Sequence, residues 1–124
     1  MKSYSLIELL DSICQRPGMY IGEPSLEKLS CFIYGYKKAM HDLGVEETPE
    51  INFTEFSDWA RKKYDYPGSA VTAGWDKSIY AISMGVSSKD LDWCNLPEAE
   101  FDEHQKSIEL FVNLVKQYVS NEST

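Results

Sequence analysis

The chain has 124 residues, of which 43% are hydrophobic and 26% are charged, as in an ordinary soluble globular protein. Because most domains contain roughly 100–150 residues, this length predicts a single domain spanning residues 1–124. No apolar run approaches the ~20 residues of a membrane-spanning helix, and Glu8 and Asp11 interrupt the N-terminal apolar stretch that a secretory signal would need intact. We therefore expect a cytoplasmic protein that does not associate with membranes.

The net charge of −8 argues against nucleic acid as a direct ligand. Proteins that bind DNA or RNA neutralise phosphates with clustered lysine and arginine side chains. The only basic run in the sequence is Arg61-Lys62-Lys63, which lies beside acidic residues, and we interpret it as the solvent-exposed face of a helix. An acidic protein is better suited to a basic partner.

The cysteines and histidines predict neither a disulfide framework nor a metal site. Cys14, Cys31 and Cys94 are widely spaced and form no C-x-x-C pair. Each has apolar neighbours, which predicts a small buried hydrophobic side chain. His41 and His104 fit no metal-ligand spacing, so we expect neither a metal nor a cofactor.

The first helix has a clear start and end in the sequence. Ser5 and Glu8 form a capping-box pattern, in which each side chain satisfies a backbone N–H of the first turn. Apolar residues then recur at helical spacing until Pro17, which disfavours helical geometry in the residue before it. Pro17-Gly18 is typical of the centre of a type II turn.

Two further helices are predicted before residue 67. Ser25 is placed to cap the second helix, which ends at Gly44. Gly35 lies inside that helix and indicates close packing against a neighbour, since glycine costs ~1 kcal/mol there relative to alanine. An acidic loop leads to the third helix, which is predicted to begin near Thr54 and to stop before Pro67-Gly68.

Residues 78–84 can be read as a helix or as a strand. Trp75, Ile79 and Ile82 have helical spacing, and Thr72 is placed to cap such a helix. The same stretch also alternates between apolar and polar residues, as a half-buried strand would. We favour the helix because no good partner strand is visible elsewhere in the sequence.

The last helix carries the most regular apolar stripe in the chain. We place Pro97 in its first turn, where the missing N–H of proline costs nothing. Taken together, the segments predict an all-α fold, a compact single-domain bundle of about five helices. The stripe consists of Phe101, His104, Ile108, Phe111, Val112, Val115 and Val119.

No catalytic motif is recognisable, and the chain is not expected to be an enzyme. Arg16-Pro17-Gly18-Met19-Tyr20-Ile21-Gly22 resembles a segment near the start of the ATPase subunits of type II topoisomerases. Those subunits also need an asparagine and a glutamate on the following helix, together with glycine-rich nucleotide loops. The sequence lacks both features, so we interpret the match as a shared helix-turn solution rather than as a nucleotide site.

A second resemblance covers nearly the whole chain. The order of its segments is similar to that of small bacterial proteins encoded beside polymorphic toxins, and it resembles immunity proteins of contact-dependent growth inhibition systems. The resemblance implies a helical fold, no catalytic residues and a cognate toxin as partner. The segments are Arg16-Pro17-Gly18-Met19-Tyr20-Ile21-Gly22, Ser25-Leu26-Glu27-Lys28-Leu29, Phe32, Gly35-Tyr36, the Phe53, Phe56 and Trp59 set, Gly74-Trp75, and an acidic last helix ending at Tyr118.

Residues 90–103 are the predicted partner-binding segment, because they contain six acidic residues and no basic one. We expect them to block the basic, substrate-binding surface of a toxin domain, most naturally a nuclease such as an RNase or tRNase. Trp93 would be a suitable anchor if it is exposed; otherwise it belongs to the core and the acids are only a solvated face. The tentative binding residues are Asp90, Asp92, Trp93, Glu98, Glu100, Asp102 and Glu103.

The alternative function is that of a small structural or regulatory adaptor with no toxin partner, which includes the possibility of a homodimer. The sequence does not distinguish this alternative from an immunity protein, because an acidic helical bundle serves either function.

Overall fold

A computed structural model of the chain describes residues 2–66, 74–87 and 89–122. Helices dominate these residues, which confirms the prediction of a mainly α-helical bundle. The described residues contain six helices rather than about five, because a short additional helix follows the first one. The elements are β1 (Ser3–Tyr4), α1 (Leu6–Gln15), α2 (Pro17–Ile21), α3 (Leu26–Asp42), β2 (Glu46–Glu47), α4 (Phe53–Lys63), α5 (Trp75–Ser83) and α6 (Phe101–Glu122).

The first two helices show where local sequence signals succeeded and where one failed. The Ser5 hydroxyl accepts a hydrogen bond from the backbone N–H of Glu8 at 3.3 Å, as the capping-box pattern predicts. The type II turn predicted at Pro17-Gly18 is wrong, because Pro17 is the first residue of α2. The first position of a helix tolerates proline, whose fixed φ already suits the helix.

Helix α3 begins and ends where the sequence predicts. The Ser25 hydroxyl accepts from the N–H of Lys28 at 3.2 Å, and the chain leaves the helix through Gly44 at a φ of +76°, which glycine adopts without strain. The close packing predicted at Gly35 is wrong. A Cβ built on Gly35 would meet nothing within 4 Å, and the residue is exposed.

Two short strands, which the sequence did not predict, pair in parallel and join the N-terminus to the loop after α3. Ser3 pairs with Glu46 and Tyr4 with Glu47. The side chain of Glu47 is 7% exposed. Its carboxylate accepts from the Tyr4 hydroxyl at 3.1 Å and from the N–H of Ile51 at 2.6 Å, and it forms an ion pair with Lys37 at 3.1 Å. Burial and the neighbouring Glu47 raise the pKa of Tyr4, so the phenol stays a donor. This network fixes the path of the chain into α4.

Asn52 caps the start of α4. Its side chain accepts from the N–H groups of Thr54 and Glu55 at 3.0 and 3.1 Å, so α4 begins one residue before the predicted Thr54.

Helix α5 confirms the helical interpretation of residues 78–84. It ends at Ser83 and is capped at its C-terminus by Met84. The predicted cap at Thr72 and the predicted stop at Pro67-Gly68 lie outside the described residues.

The core lies along α6, against which α1, α4 and α5 pack. Phe111 is fully buried at its centre; its ring stacks on Trp75 at 4.2 Å between centroids and meets Phe56 edge-on at 5.8 Å. Within residues 2–66, 74–87 and 89–122, none of the helices is both long and apolar enough to cross a membrane. The buried residues of α6 are Ser107, Ile108, Phe111, Val112, Leu114, Val115 and Tyr118.

Four side chains are exposed or buried contrary to the prediction from the sequence. Arg61, predicted on a solvent-exposed face, is only 2% exposed. Cys31 and Cys94, predicted as buried hydrophobes, are exposed, while Cys14 is partly buried. Phe101, predicted on the apolar stripe of the last helix, is 65% exposed. The composition of the neighbouring sequence was therefore a poor guide to burial at these four positions.

Arg61 is buried because two helices supply acceptors for its guanidinium. One terminal nitrogen donates to the hydroxyls of Ser57 at 2.7 Å and Ser78 at 2.9 Å, and the other pairs with the carboxylate of Asp58. Ser57 and Asp58 lie on α4 with Arg61, whereas Ser78 lies on α5. The arginine therefore links α4 to α5 in the interior.

We expect Arg61→Ala to lower the free energy of unfolding by about 2–5 kcal/mol, because it removes a buried side chain and leaves the buried hydroxyls of Ser57 and Ser78 without the guanidinium. Lys62→Ala is the matched control; Lys62 is exposed, and its loss should change stability by about 0.5 kcal/mol or less. Urea unfolding followed by circular dichroism measures both values. Equal stabilities of the two variants would contradict the linking role of Arg61.

Candidate partner-binding surface

Residues 90–103, the acidic segment, run from the turn after α5 into the first turn of α6. Their backbone is irregular up to residue 100 and helical from Phe101. Most of the predicted binding residues are at the surface. Asp90, Asp92, Glu98, Glu100 and Asp102 are exposed, and Trp93 and Glu103 are half-buried.

Asp92 organises a turn within the acidic segment. One carboxylate oxygen accepts from the N–H of Cys94 and the other from the side-chain amide of Asn95, both at 3.0 Å. The N–H of Asn95 also donates to the carbonyl of Asp92 at 3.0 Å. The bonds to the carboxylate, first among them the one from the Asn95 side-chain amide, lower the pKa of Asp92. The carboxylate of Asp92 therefore shapes the loop as well as contributing charge.

Glu103 caps the start of α6. Its carboxylate accepts from the N–H of Glu100 at 2.9 Å, which is one half of a capping box.

Helix α6 begins at Phe101, so the prediction that Pro97 lies in its first turn is wrong. Pro97 instead belongs to the irregular segment, and its carbonyl accepts a hydrogen bond from the Tyr80 hydroxyl of α5. Tyr80 thereby ties the acidic segment to the bundle.

Four carboxylates of the segment lie at the surface. In the part of the chain that the structure describes, the side chains of Asp90, Glu98, Glu100 and Asp102 form no ion pair and no side-chain hydrogen bond. Asp102 also lies in the first turn of α6, where the helix dipole favours negative charge. The segment thus presents a concentrated negative charge to solvent.

Trp93 is half-buried, so it is neither a core residue nor a fully exposed anchor. It lines an open groove of about 710 Å³. We call this space the Trp93 groove. Its walls come from the start of α3, from α5, from the irregular part of the acidic segment and from α6. The residues that supply charged or aromatic side chains to it are Glu27, Asp76, Lys77, Tyr80, Trp93, Glu98 and His104.

The sequence did not assign Glu27, Asp76 or Tyr80 to a binding site, because they lie outside the acidic segment. The helix α5 brings Asp76 and Tyr80 to the groove, and the capped start of α3 brings Glu27. Burial, followed by the carboxylates of Glu103 and Glu98, raises the pKa of the Tyr80 phenol. No local signal could have identified these residues, because only packing makes them neighbours.

His104 lines the Trp93 groove and also a second, neighbouring groove. Its ring stacks on Tyr80 at 5.8 Å between centroids. The second groove has a volume of about 650 Å³ and is lined by residues that include Phe101 and Cys31. The Nδ1 atom of His104 is buried and has no hydrogen-bond partner within the described residues. A buried polar atom without a partner costs about 1–3 kcal/mol.

Metal-ligand geometry is not found in the described ranges, where no group of three or more His, Cys, Asp and Glu side chains is arranged to hold an ion. The side chain of His41 is 86% exposed in the last turn of α3.

Comparisons with known proteins found no matching family model, no matching curated protein and no matching solved structure. The resemblance to immunity proteins of toxin systems therefore stays a prediction from the sequence.

The Asp92 turn should open at low pH. Because its pKa is lowered on folding, Asp92 contributes stability above its ordinary pKa, and this contribution is lost as the pH falls through the lowered value. Amide hydrogen exchange at Cys94, measured against pH, should show the loss of protection. Asp92→Asn should remove that dependence, whereas Asp90→Asn should leave it intact; the reverse pattern would contradict the assignment.

His104→Phe should raise the free energy of unfolding by about 1 kcal/mol, because phenylalanine keeps a ring against Tyr80 and removes the unpaired nitrogen. His41→Phe is the control, since that side chain is in solvent. Thermal melts at pH 7 would measure both effects. A less stable His104→Phe variant would mean that the nitrogen contributes an interaction that favours the folded chain.

Proposed function

We propose that this chain binds and neutralises a basic toxin domain, with a nuclease such as an RNase or tRNase as the expected class, by covering its substrate-binding surface with the acidic segment. The observation that carries the proposal is the set of four exposed carboxylates, Asp90, Glu98, Glu100 and Asp102, without ion pairs in the described chain. These charges are available to a partner, and Asp102 also lies where the dipole of α6 favours negative charge.

A nuclease must present lysine and arginine side chains to grip the phosphates of its substrate. An inhibitor with the opposite charge is attracted to that same surface, and attraction between unlike charges raises the association rate by a factor of 10–10³ in steered complexes. Fast association matters for an inhibitor that must act before the nuclease cuts. The net charge of −8 adds a long-range electrostatic attraction to the same basic partner.

Trp93 supports the proposal because it offers an apolar contact within the acidic segment. Protein interfaces are anchored by a few buried aromatic or arginine side chains and are surrounded by polar contacts that exclude water. Trp93 is half-buried among exposed acids, so a partner that covers the segment would complete its burial. The Asp92 turn and the Tyr80–Pro97 hydrogen bond limit how far the segment must be ordered on binding. Pre-ordering of this kind lowers the entropic cost of association.

The alternative, a structural or regulatory adaptor that includes a homodimer, has its own support in four large apolar side chains at the surface. Met19, Tyr34, Leu43 and Phe101 are between 65% and 76% exposed. Sedimentation of the purified chain distinguishes the two functions, since an obligate dimer would cover apolar surface without any basic partner. Capture of the product of the gene directly upstream would favour the toxin-binding function.

We expect Asp90→Lys combined with Glu100→Lys to slow association with a basic toxin domain about tenfold, measured by stopped-flow fluorescence. The wild-type rate should also fall as salt rises, because the screening length is ~8 Å at physiological ionic strength. The matched control is Glu50→Lys combined with Glu109→Lys, which changes the net charge equally at exposed positions outside the segment.

Only the first pair should produce the large effect. Equal slowing by both pairs would show that net charge alone acts, and an unchanged rate would move the contact elsewhere. Thermal melts of each variant are required, since lysine at position 100 lies at the N-terminal end of α6 and is expected to cost about 1 kcal/mol.

A further inference from the structure

The Trp93 groove combines features that suit one kind of guest. Three carboxylates line it, those of Glu27, Asp76 and Glu98, and none of the three forms an ion pair within the described residues. Two aromatic side chains, Trp93 and Tyr80, line the same space. A cation is attracted both to carboxylates and to the faces of aromatic rings, so the groove is complementary to a positively charged side chain.

We propose that the Trp93 groove receives one arginine side chain of the basic partner; the identity of that partner rests on the proposed function. The groove then has a role distinct from that of the exposed acids. Asp90, Glu100 and Asp102 attract the partner and set the association rate, whereas the groove holds one inserted side chain and sets the lifetime of the complex.

Arginine fits the groove better than lysine does. The guanidinium is planar, is more weakly hydrated than an ammonium and stacks on aromatic faces while it donates hydrogen bonds to carboxylates in its own plane. Tyr80 offers its ring in a fixed position, because its hydroxyl is bonded to the carbonyl of Pro97 and its ring stacks on His104. The preformed wall reduces the conformational cost of binding.

Lys77 supplies an internal test of the electrostatic argument. It is exposed and lines the same groove as the three carboxylates, so its ammonium competes with an incoming cation or repels it. Removal of a carboxylate and removal of Lys77 should therefore change the affinity in opposite directions. A groove that bound its guest through apolar contacts alone would respond to neither.

The direct experiment titrates the isotopically labelled full chain with N-acetyl-arginine methylamide and follows the indole N–H of Trp93 by two-dimensional NMR. N-acetyl-citrulline methylamide is the matched probe, since citrulline has the same shape without the charge. We expect a saturable shift of the Trp93 signal with the arginine probe, at least fivefold weaker binding of the citrulline probe, and little shift of the Trp59 indole, which belongs to α4.

The variants sharpen the result. Glu98→Gln should weaken binding of the arginine probe about threefold and Lys77→Gln should strengthen it by a similar factor, whereas Glu109→Gln, on an exposed part of α6 outside the groove, should change nothing. Equal binding of the arginine and citrulline probes, or no saturable shift at Trp93, overturns the proposal. So does a Glu98→Gln variant that binds like the wild-type chain.

Failure of this proposal can be separated from failure of the proposed function. If a basic toxin domain binds the chain and Trp93→Leu leaves the dissociation rate unchanged in a variant with a normal melt, the arginine groove is refuted and the acidic segment keeps its function. If the arginine probe binds as expected but Asp90→Lys combined with Glu100→Lys has no effect on the toxin, the groove stands and the segment is not the attracting surface.

Discussion

The packing of α6 against α1, α4 and α5 is the constraint on which the rest of the molecule depends. Phe111 is fully buried at the centre of that packing and stacks on Trp75, the first residue of α5. Aromatic pairs of this kind contribute about 0.5–1.5 kcal/mol beyond the area they bury. Because the stack lies at the start of α5, it fixes where that helix crosses α6. The surface built on α5 and α6 depends on this crossing.

The candidate binding surface is a direct consequence of the crossing of α5 and α6. Tyr80, on α5, stacks on His104 of α6 and holds the carbonyl of Pro97. These contacts place the irregular part of the acidic segment beside the start of α3 and so create the Trp93 groove. The cost is visible at His104, whose buried Nδ1 has no partner within the described residues. Unpaired buried atoms of this kind are uncommon in folded proteins.

Some acids of the segment stabilise the fold, and others only add charge to the surface. Asp92 and Glu103 accept backbone hydrogen bonds and so order the turn and the helix start. Asp90, Glu98 and Glu100 have no such bonds and contribute charge alone. A reversal of the charge at Glu103 would therefore disturb the start of α6 as well as any binding.

Local chemistry in the sequence determined the positions of most helices. Ser5 and Ser25 cap α1 and α3 through backbone N–H groups three residues away, and such bonds depend on neighbours in the chain alone. The sequence also determined the net charge and the acidic character of residues 90–103, because both are fixed by composition. It therefore predicted the fold class and the charged half of the candidate site.

Tertiary structure alone decided what depends on residues far apart in the chain. The burial of Arg61 requires Ser78 on another helix, and the strand pair requires Glu46 and Glu47 to meet the N-terminus. The Trp93 groove likewise draws its walls from four segments, including Glu27. Periodicity and capping report the energy of a residue with its chain neighbours, whereas burial and concavity are set by which helices pack together. For that reason the sequence identified the acids but not the groove beside them.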